Sequence, residues 1–217
     1  MSTGPVVLWL VIWIAAFTWS AIQPRDEFTW FLETFPALLG LAVLAITRRR
    51  FALTPLVYWL ILAHSLILMI GGHYTYAEVP LFDRFSEWFG WGRNNYDKLG
   101  HFAQGFVPAM IAREVLLRKQ VVNGRRWLHF LVVCFCLAFS AFYELVEWWV
   151  AVLTGDEANA FLGTQGYAWD TQSDMAWALG GAILAPALLA RWHDRQLARL
   201  IPAMSTNRSA HAADIVS

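Results

Sequence analysis

Residues 127–153 read WLHFLVVCFCLAFSAFYELVEWWVAVL. At about 1.5 Å per residue, one helix of this length crosses the roughly 30 Å hydrocarbon core of a bilayer. The last third of the stretch holds two acids, Glu144 and Glu147. An ionisable group inside an apolar span is costly unless it is paired, hydrated or bound to an ion. The stretch therefore predicts a membrane-spanning helix that contributes to a functional site.

The whole chain has the composition of an integral membrane protein. Of its 217 residues, 58% are hydrophobic, only 15% are charged, and 13 are tryptophans. The formal net charge is +0, so no overall basic character favours nucleic acid as a partner. Cys134 and Cys136 would point about 200° apart on a helix and cannot hold one ion together. Membrane lipid is the partner that this composition predicts.

We predict an all-α, polytopic bundle of six membrane-spanning helices in one domain, residues 1–201. No positive charge precedes the first span as it would in a secretory signal, so we expect that span to stay in the mature protein. Residues 202–217 are small and polar, which favours a disordered cytoplasmic tail. The six spans are approximately 6–22, 31–46, 51–71, 97–117, 127–153 and 170–190. The aromatic segment 78–92 is predicted to be an interfacial loop.

Basic residues cluster in alternate loops and predict the orientation of the bundle. The positive-inside rule places such loops in the cytoplasm, so both termini are expected there. The basic residues on that side are Arg48, Arg49, Arg50, Arg118, Lys119, Arg125, Arg126, Arg191, Arg195 and Arg199. The opposite loops carry Arg25, Arg84, Arg93 and Lys98 together with the acids Asp26, Glu27, Glu78, Asp83, Glu87, Asp97, Asp156 and Glu157.

The polar residues of spans four, five and six are spaced so that each set shares a helix face. Asp97 and His101 are four residues apart, with Gln104 three further on, and Asp170 and Asp174 are again four apart. In the predicted topology all of them, with the two acids of span five, lie in the outer half of the membrane. We therefore predict a polar site that opens outward between these three spans.

Several motifs connect the chain to known families. GHYTY from Gly72, NYDKLGHF from Asn95, YE at Tyr143 and GTQGYAWDTQSDM from Gly163 together resemble the YjdF family of bacterial inner-membrane proteins. The resemblance implies a location in the bacterial inner membrane and leaves the activity open.

A second likeness is more distant. The order Asp97-Lys98-x-x-His101, Glu144, then Asp174 followed by Gly180 and Gly181, is similar to the VanZ family. That family is linked to glycopeptide-antibiotic resistance and envelope processes. The paired glutamates and the Gly-Thr-Gln-Gly loop depart from its pattern, so resistance itself is not carried over.

The candidate site permits two kinds of chemistry. Carboxylates with an imidazole are suitable ligands for a divalent metal. Alternatively, neighbouring acids raise one another's pKa, so that one carboxyl is a general acid and another a base. The candidate metal ligands are Asp97, His101, Glu144, Asp170, Asp174 and His73, and the candidate catalytic residues are Glu144, Glu147, His101 and Asp97. The candidate substrate-binding residues are Lys98, Arg93, Tyr76 and Gln165, the two cations being suited to a phosphate or carboxylate.

Structural roles compete with these assignments. Polar side chains in small bundles also form interhelical hydrogen bonds, and Asp97 or Asp170 at a helix start can serve as a cap. His64, alone in span three, is interpreted as a packing residue. Three functions therefore remain open at this point. They are an enzyme acting on envelope lipid or lipid-linked head groups, a proton-coupled or metal-ion carrier, and a non-catalytic envelope binding or assembly factor.

Overall fold

The computed structural model describes residues 3–155 and 159–213. In the described part every regular element is helical, which confirms the all-α class. The α-helices are α1 (Thr3–Ser20), α2 (Glu27–Thr47), α3 (Pro55–Tyr74), α4 (Pro80–Phe89), α5 (Tyr96–Arg118), α6 (Arg125–Thr154), α7 (Asn159–Leu162) and α8 (Asp170–Ala213), with a short 3-10 turn at Tyr76–Glu78. Asp156, Glu157 and residues 214–217 lie outside the described residues, and the domain limit at residue 201 stays a prediction.

Four of the described helices are long and apolar enough to cross a membrane. They are Glu27–Thr47, Pro55–Tyr74, Arg125–Thr154 and the Asp170–Leu200 part of α8. Helix α1 is apolar but shorter, at 18 residues. Helix α5 has 23 residues, yet charged side chains occupy both of its ends. These four helices are candidate membrane spans by length and composition, while α1 and α5 remain predicted spans.

Segment 78–92 is not the loop that the sequence predicted. It contains α4, whose first turn includes Pro80. Gly90 follows the last helical residue, Phe89, and its φ of +64° suits glycine. Phe82 packs edge-on against Tyr96 at 5.1 Å between ring centroids, whereas Trp88 and Phe89 are exposed. The aromatic spacing follows the helical repeat, and α4 is amphipathic for that reason.

Helix α5 is the centre of the bundle, because α3, α6 and α8 all pack against it. Its closest neighbour is α8, and glycines allow that approach. A Cβ on Gly105 would lie 1.8 Å from the carbonyl oxygen of Ala178, and one on Gly181 would lie 2.1 Å from that of Phe102. The two backbones are therefore in contact, as small residues permit in membrane helices. This contact places Asp174 of α8 beside the beginning of α5.

A buried ionic network joins the opposite ends of α5 and α8. Glu114 is fully buried and accepts hydrogen bonds from the Thr54 backbone N–H at 3.0 Å and from Arg118 at 2.7 Å. His193 Nε2 lies 3.0 Å from the same carboxylate, and its Nδ1 lies 2.7 Å from Arg113. The sequence interpretation did not include this network, which fixes α3, α5 and α8 to one another.

Candidate functional site

The candidate site is organised around His101, one turn into α5. Its Nε2 atom lies 3.2 Å from Asp97 Oδ1 and 3.9 Å from Asp174 Oδ2. Its Nδ1 atom lies 3.1 Å from Gln104 Oε1 and 3.8 Å from Glu144 Oε1. The helical spacing of Asp97, His101 and Gln104 places all three on one face of α5, as predicted. The imidazole therefore lies between acids of α5, α6 and α8.

Lys98 neutralises one side of this site. Its ammonium lies 3.2 Å from Asp97, 2.9 Å from Asp170 and 2.5 Å from Asp174. Arg93 lies 3.0 Å from Asp170 and 3.9 Å from Asp97. Both cations are thus held by carboxylates of the protein itself. The structure gives them ion-pair partners, and their predicted contact with a phosphate or carboxylate stays a prediction.

Glu144 and Glu147 lie on the other side of the imidazole. One ligand atom each from His101, Glu144 and Glu147 lie within 4.8 Å of one another. Glu144 is buried, and its Oε1 atom makes no hydrogen bond to any described residue. Thr171 of α8 is within hydrogen-bonding reach of the same carboxylate. A buried carboxylate oxygen with no partner is costly, so it indicates a position where a proton, an ion or a ligand is expected.

Two sets of residues have the spacing of a metal site. The first consists of Asp97, His101 and Asp174, and the second of His101, Glu144 and Glu147. The Lys98 ammonium already contacts both acids of the first set, Asp97 and Asp174, and would compete there with a metal ion. In the second set the imidazole is the one described group that can carry a positive charge. The second set therefore fits a divalent ion better.

A cavity of about 820 Å³ adjoins the site between α2, α3, α5 and α6. Polar side chains line the end where α2 and α5 begin, and apolar side chains line most of the remainder. Arg50 and Lys119, which follow α2 and α5, lie at the opposite end. The polar lining includes Glu33, His64, Ser65, Tyr76, Asp97, His101, Gln104, Tyr143 and Glu147.

The cavity opens sideways, between α2 and α6. In the described chain these two helices do not pack closely against each other. Phe35 and Leu39 of α2, and Phe139 and Phe142 of α6, line the cavity and are exposed at its edge. Helix α7 contacts both α2 and α6, and its buried Phe161 also lines the cavity. The opening therefore faces the side of the bundle where lipid chains would lie.

Tyr76 belongs to the 3-10 turn between α3 and α4, and its side chain lines the cavity. Its ring occupies the space left by two glycines, since a Cβ on Gly71 or Gly100 would lie 2.2 or 2.6 Å from ring carbons. Burial raises the pKa of Tyr76 well above its ordinary value, so the phenol stays protonated. The hydroxyl is within hydrogen-bonding reach of Glu33, toward which it is a donor.

Two predicted site residues lie away from His101. The His73 Nδ1 atom lies 3.1 Å from the Ser20 carbonyl oxygen, and its ring packs on Trp19. Gln165 exchanges two hydrogen bonds with the backbone of Asn94, at 3.0 and 2.8 Å, and so joins two loops. The structure thus gives both side chains local structural partners. Their predicted roles in metal and substrate binding have no support from these positions.

Glu33 was not among the predicted site residues, although the sequence held a signal for it. It is an acid inside the second apolar segment, and such groups mark functional sites by default. It is buried and lines the polar end of the cavity. His64 was interpreted as a packing residue, and it too lines the cavity. The site therefore extends beyond spans four, five and six to α2 and α3.

Comparisons with known proteins agree on the class of this chain. Residues 5–195 match the family described as "Predicted membrane protein (DUF2238)". The chain is 50% identical over 199 residues to "Inner membrane protein YjdF" of Escherichia coli (strain K12), which covers 92% of this chain and 93% of that protein. No solved structure matches the chain. The predicted resemblance to the YjdF family is confirmed, and the VanZ likeness stays a prediction.

Proposed function

The chain belongs to the DUF2238 family of predicted membrane proteins, and on that premise we propose that it acts on the polar head group of an envelope lipid or lipid-linked precursor. One observation carries the proposal. A group of acids around a histidine lies at one end of a cavity that is otherwise mostly apolar and opens sideways. A lipid has the same division, with a polar head and an apolar body.

We propose six membrane-spanning helices, with α1 and α5 added to the four candidate spans. Both termini would then be cytoplasmic. The basic residues support this orientation, because Arg50 and Lys119 line the cavity end opposite the acids. The site around His101 would consequently lie in the outer half of the membrane, and its substrate would enter from the outer leaflet.

The proposed reaction is hydrolysis or group transfer by acid and base. Glu144 Oε1 accepts a proton from water or from a hydroxyl nucleophile as the nucleophile attacks the head group. The His101 imidazolium, held by Asp97 at 3.2 Å, donates a proton to the leaving oxygen. Glu147 stabilises the positive charge on the imidazole while it is protonated.

A divalent ion at His101, Glu144 and Glu147 is a second possibility that the geometry favours. These three residues supply one nitrogen and two carboxylate ligands. An ion held there would supply Lewis-acid activation of the head group. The same site would also suit a metal-ion carrier, and retention or release of the ion separates the two functions.

The substitution Glu144→Gln tests the proposal. Loss of a general acid or base typically costs about 10²–10⁴-fold in rate, so we expect at least a hundredfold fall in product formation. The purified protein is reconstituted in vesicles of total envelope lipid, and head-group products are followed by phosphorus NMR and mass spectrometry, with and without a chelator. Insertion of the variant should be normal, because a glutamine of the same shape replaces the glutamate.

Glu78→Gln is the matched control for this experiment. Glu78 forms an exposed ion pair with Arg25 at 3.3 Å, outside the cavity, and this variant should keep the wild-type rate. Full activity of Glu144→Gln would remove Glu144 from the mechanism. A wild-type protein that forms no product from any envelope lipid would contradict the enzymatic function itself.

A further inference from the structure

We propose that the cavity selects lipids whose polar end carries a primary ammonium group. This inference rests on the proposed function, since it names the class of head group that the site would take. It differs from the expectation that Lys98 and Arg93 hold a phosphate or carboxylate.

The polar end of the cavity presents acidic side chains. Glu33, Asp97 and Glu147 line it together with His101, and among the described residues no Lys or Arg lines that end. Asp97 is shared with His101 and Lys98. Within the described residues, no ion pair joins Glu33 or Glu147 to a Lys or Arg. Glu33 and Glu147 therefore face the cavity with no Lys or Arg partner among the described residues, while Glu147 also lies beside the imidazole of His101.

The cations that would recognise an anion lie outside the cavity and are ion-paired with aspartates, although Arg93 Nε and Nη2 make no hydrogen bond to a described residue. Lys98 lies within 3.2 Å of three aspartates, and Arg93 lies 3.0 Å from one of them. Neither residue lines the cavity. An anionic head group in the cavity would be separated from these cations and would face the acids instead. An ammonium group meets neither obstacle, since it donates three hydrogen bonds to carboxylates.

An independent observation also indicates a ligand. Glu144 is 7% exposed, and its Oε1 atom makes no hydrogen bond to a described residue. This oxygen lies 3.8 Å from the imidazole of His101, which lines the cavity. A bound hydrogen-bond donor near Glu147 and His101 would satisfy it. The unpartnered oxygen thus lies next to an imidazole that lines the acidic end of the cavity.

The apolar part of the cavity suits the body of such a lipid. Its volume of about 820 Å³ lies within the ~300–1,000 Å³ typical of small-molecule sites. Phe35, Leu39 and Phe142 form its apolar edge toward the side of the bundle. Arg50 and Lys119 line the far end, where they disfavour an ammonium group. The distribution of charge therefore selects one orientation, with the amine at the acids.

The test compares three probes with the same chain: hexadecylamine, hexadecanol and hexadecanoic acid. Binding of each to the full-length protein in detergent is measured by native mass spectrometry in competition. A charge-assisted hydrogen bond predicts about a tenfold or larger preference for the amine over the alcohol. Glu33→Gln and Glu147→Gln should each reduce that preference, whereas Glu78→Gln should leave it unchanged.

Equal binding of the three probes, or tighter binding of the acid, would overturn the inference. Since the wild-type protein alone decides that comparison, a variant that fails to fold does not affect it. An amine preference that both cavity variants retain would also overturn the assignment of Glu33 and Glu147. Amine-selective binding without head-group products would leave this inference intact and contradict the proposed reaction, so the two failures are distinguishable.

Discussion

Lys98→Met is expected to destabilise the protein by about 3–5 kcal/mol, the typical cost of removing one partner from a buried ion pair. The Lys98 ammonium lies within 3.2 Å of Asp97, Asp170 and Asp174, and its side chain is 8% exposed. Methionine fills a similar volume but leaves three carboxylates facing one another. The melting temperature of the purified protein in detergent measures the effect.

Two further variants separate charge from packing. Lys119→Met removes the same charge at an exposed position and should melt close to the wild type. Adding Asp174→Asn to Lys98→Met should recover part of the lost stability, because it removes one of the repelling carboxylates. The interpretation is wrong if Lys98→Met melts like Lys119→Met, or if Asp174→Asn deepens the loss.

Glu114→Ala is expected to cost a similar amount, about 3–5 kcal/mol, at the other end of the bundle. Glu114 is fully buried and accepts hydrogen bonds from Thr54, Arg118 and His193 at 2.7–3.1 Å. Alanine would leave these buried donors without their acceptor, and it would release α3 from α5 and α8. Thermal unfolding in detergent again provides the measurement.

Glu78→Ala is the matched control, because it removes a glutamate from an ion pair that is exposed. The Arg25 and Glu78 side chains are 60% and 53% exposed and lie 3.3 Å apart. Such surface pairs contribute about 0–1 kcal/mol, so this variant should be nearly neutral. Equal losses for the two alanine variants would mean that the Glu114 network does not hold the helices together.

Much of the fold follows from the sequence because a helix that crosses the bilayer needs one long apolar segment. Long apolar segments predicted α2, α3, α6 and the membrane part of α8, and the structure has helices at those positions. Spacing of three and four residues placed Asp97 and His101 on one helix face, and the predicted order of the spans brought Asp174 toward them; in the structure the ligand atoms of these three residues lie within 4.8 Å of one another. Apolar length was sufficient for the helices, whereas the meeting of side chains from two helices required the helical repeat together with the topology.

The remainder depends on tertiary packing that spacing does not encode. The position of Glu33 beside the site requires knowledge that α2 packs on α3 and lies across a gap from α6. His73 was placed at the site by topology alone, but a hydrogen-bonding distance to Ser20 and packing on Trp19 hold it elsewhere. Segment 78–92 was predicted to be an interfacial loop, whereas the structure has helix α4 within it.

The most direct measurement uses a phosphatidylethanolamine with a photoreactive diazirine in its acyl chain, incorporated into vesicles with the protein. Val107 and Ile111 lie on α5 and line the cavity, and Val107 is buried. The account predicts crosslinks to these two residues, reduced by excess hexadecylamine. Crosslinks confined to exposed residues outside the cavity, such as Val152 and Leu188, and unaffected by the amine, would contradict it.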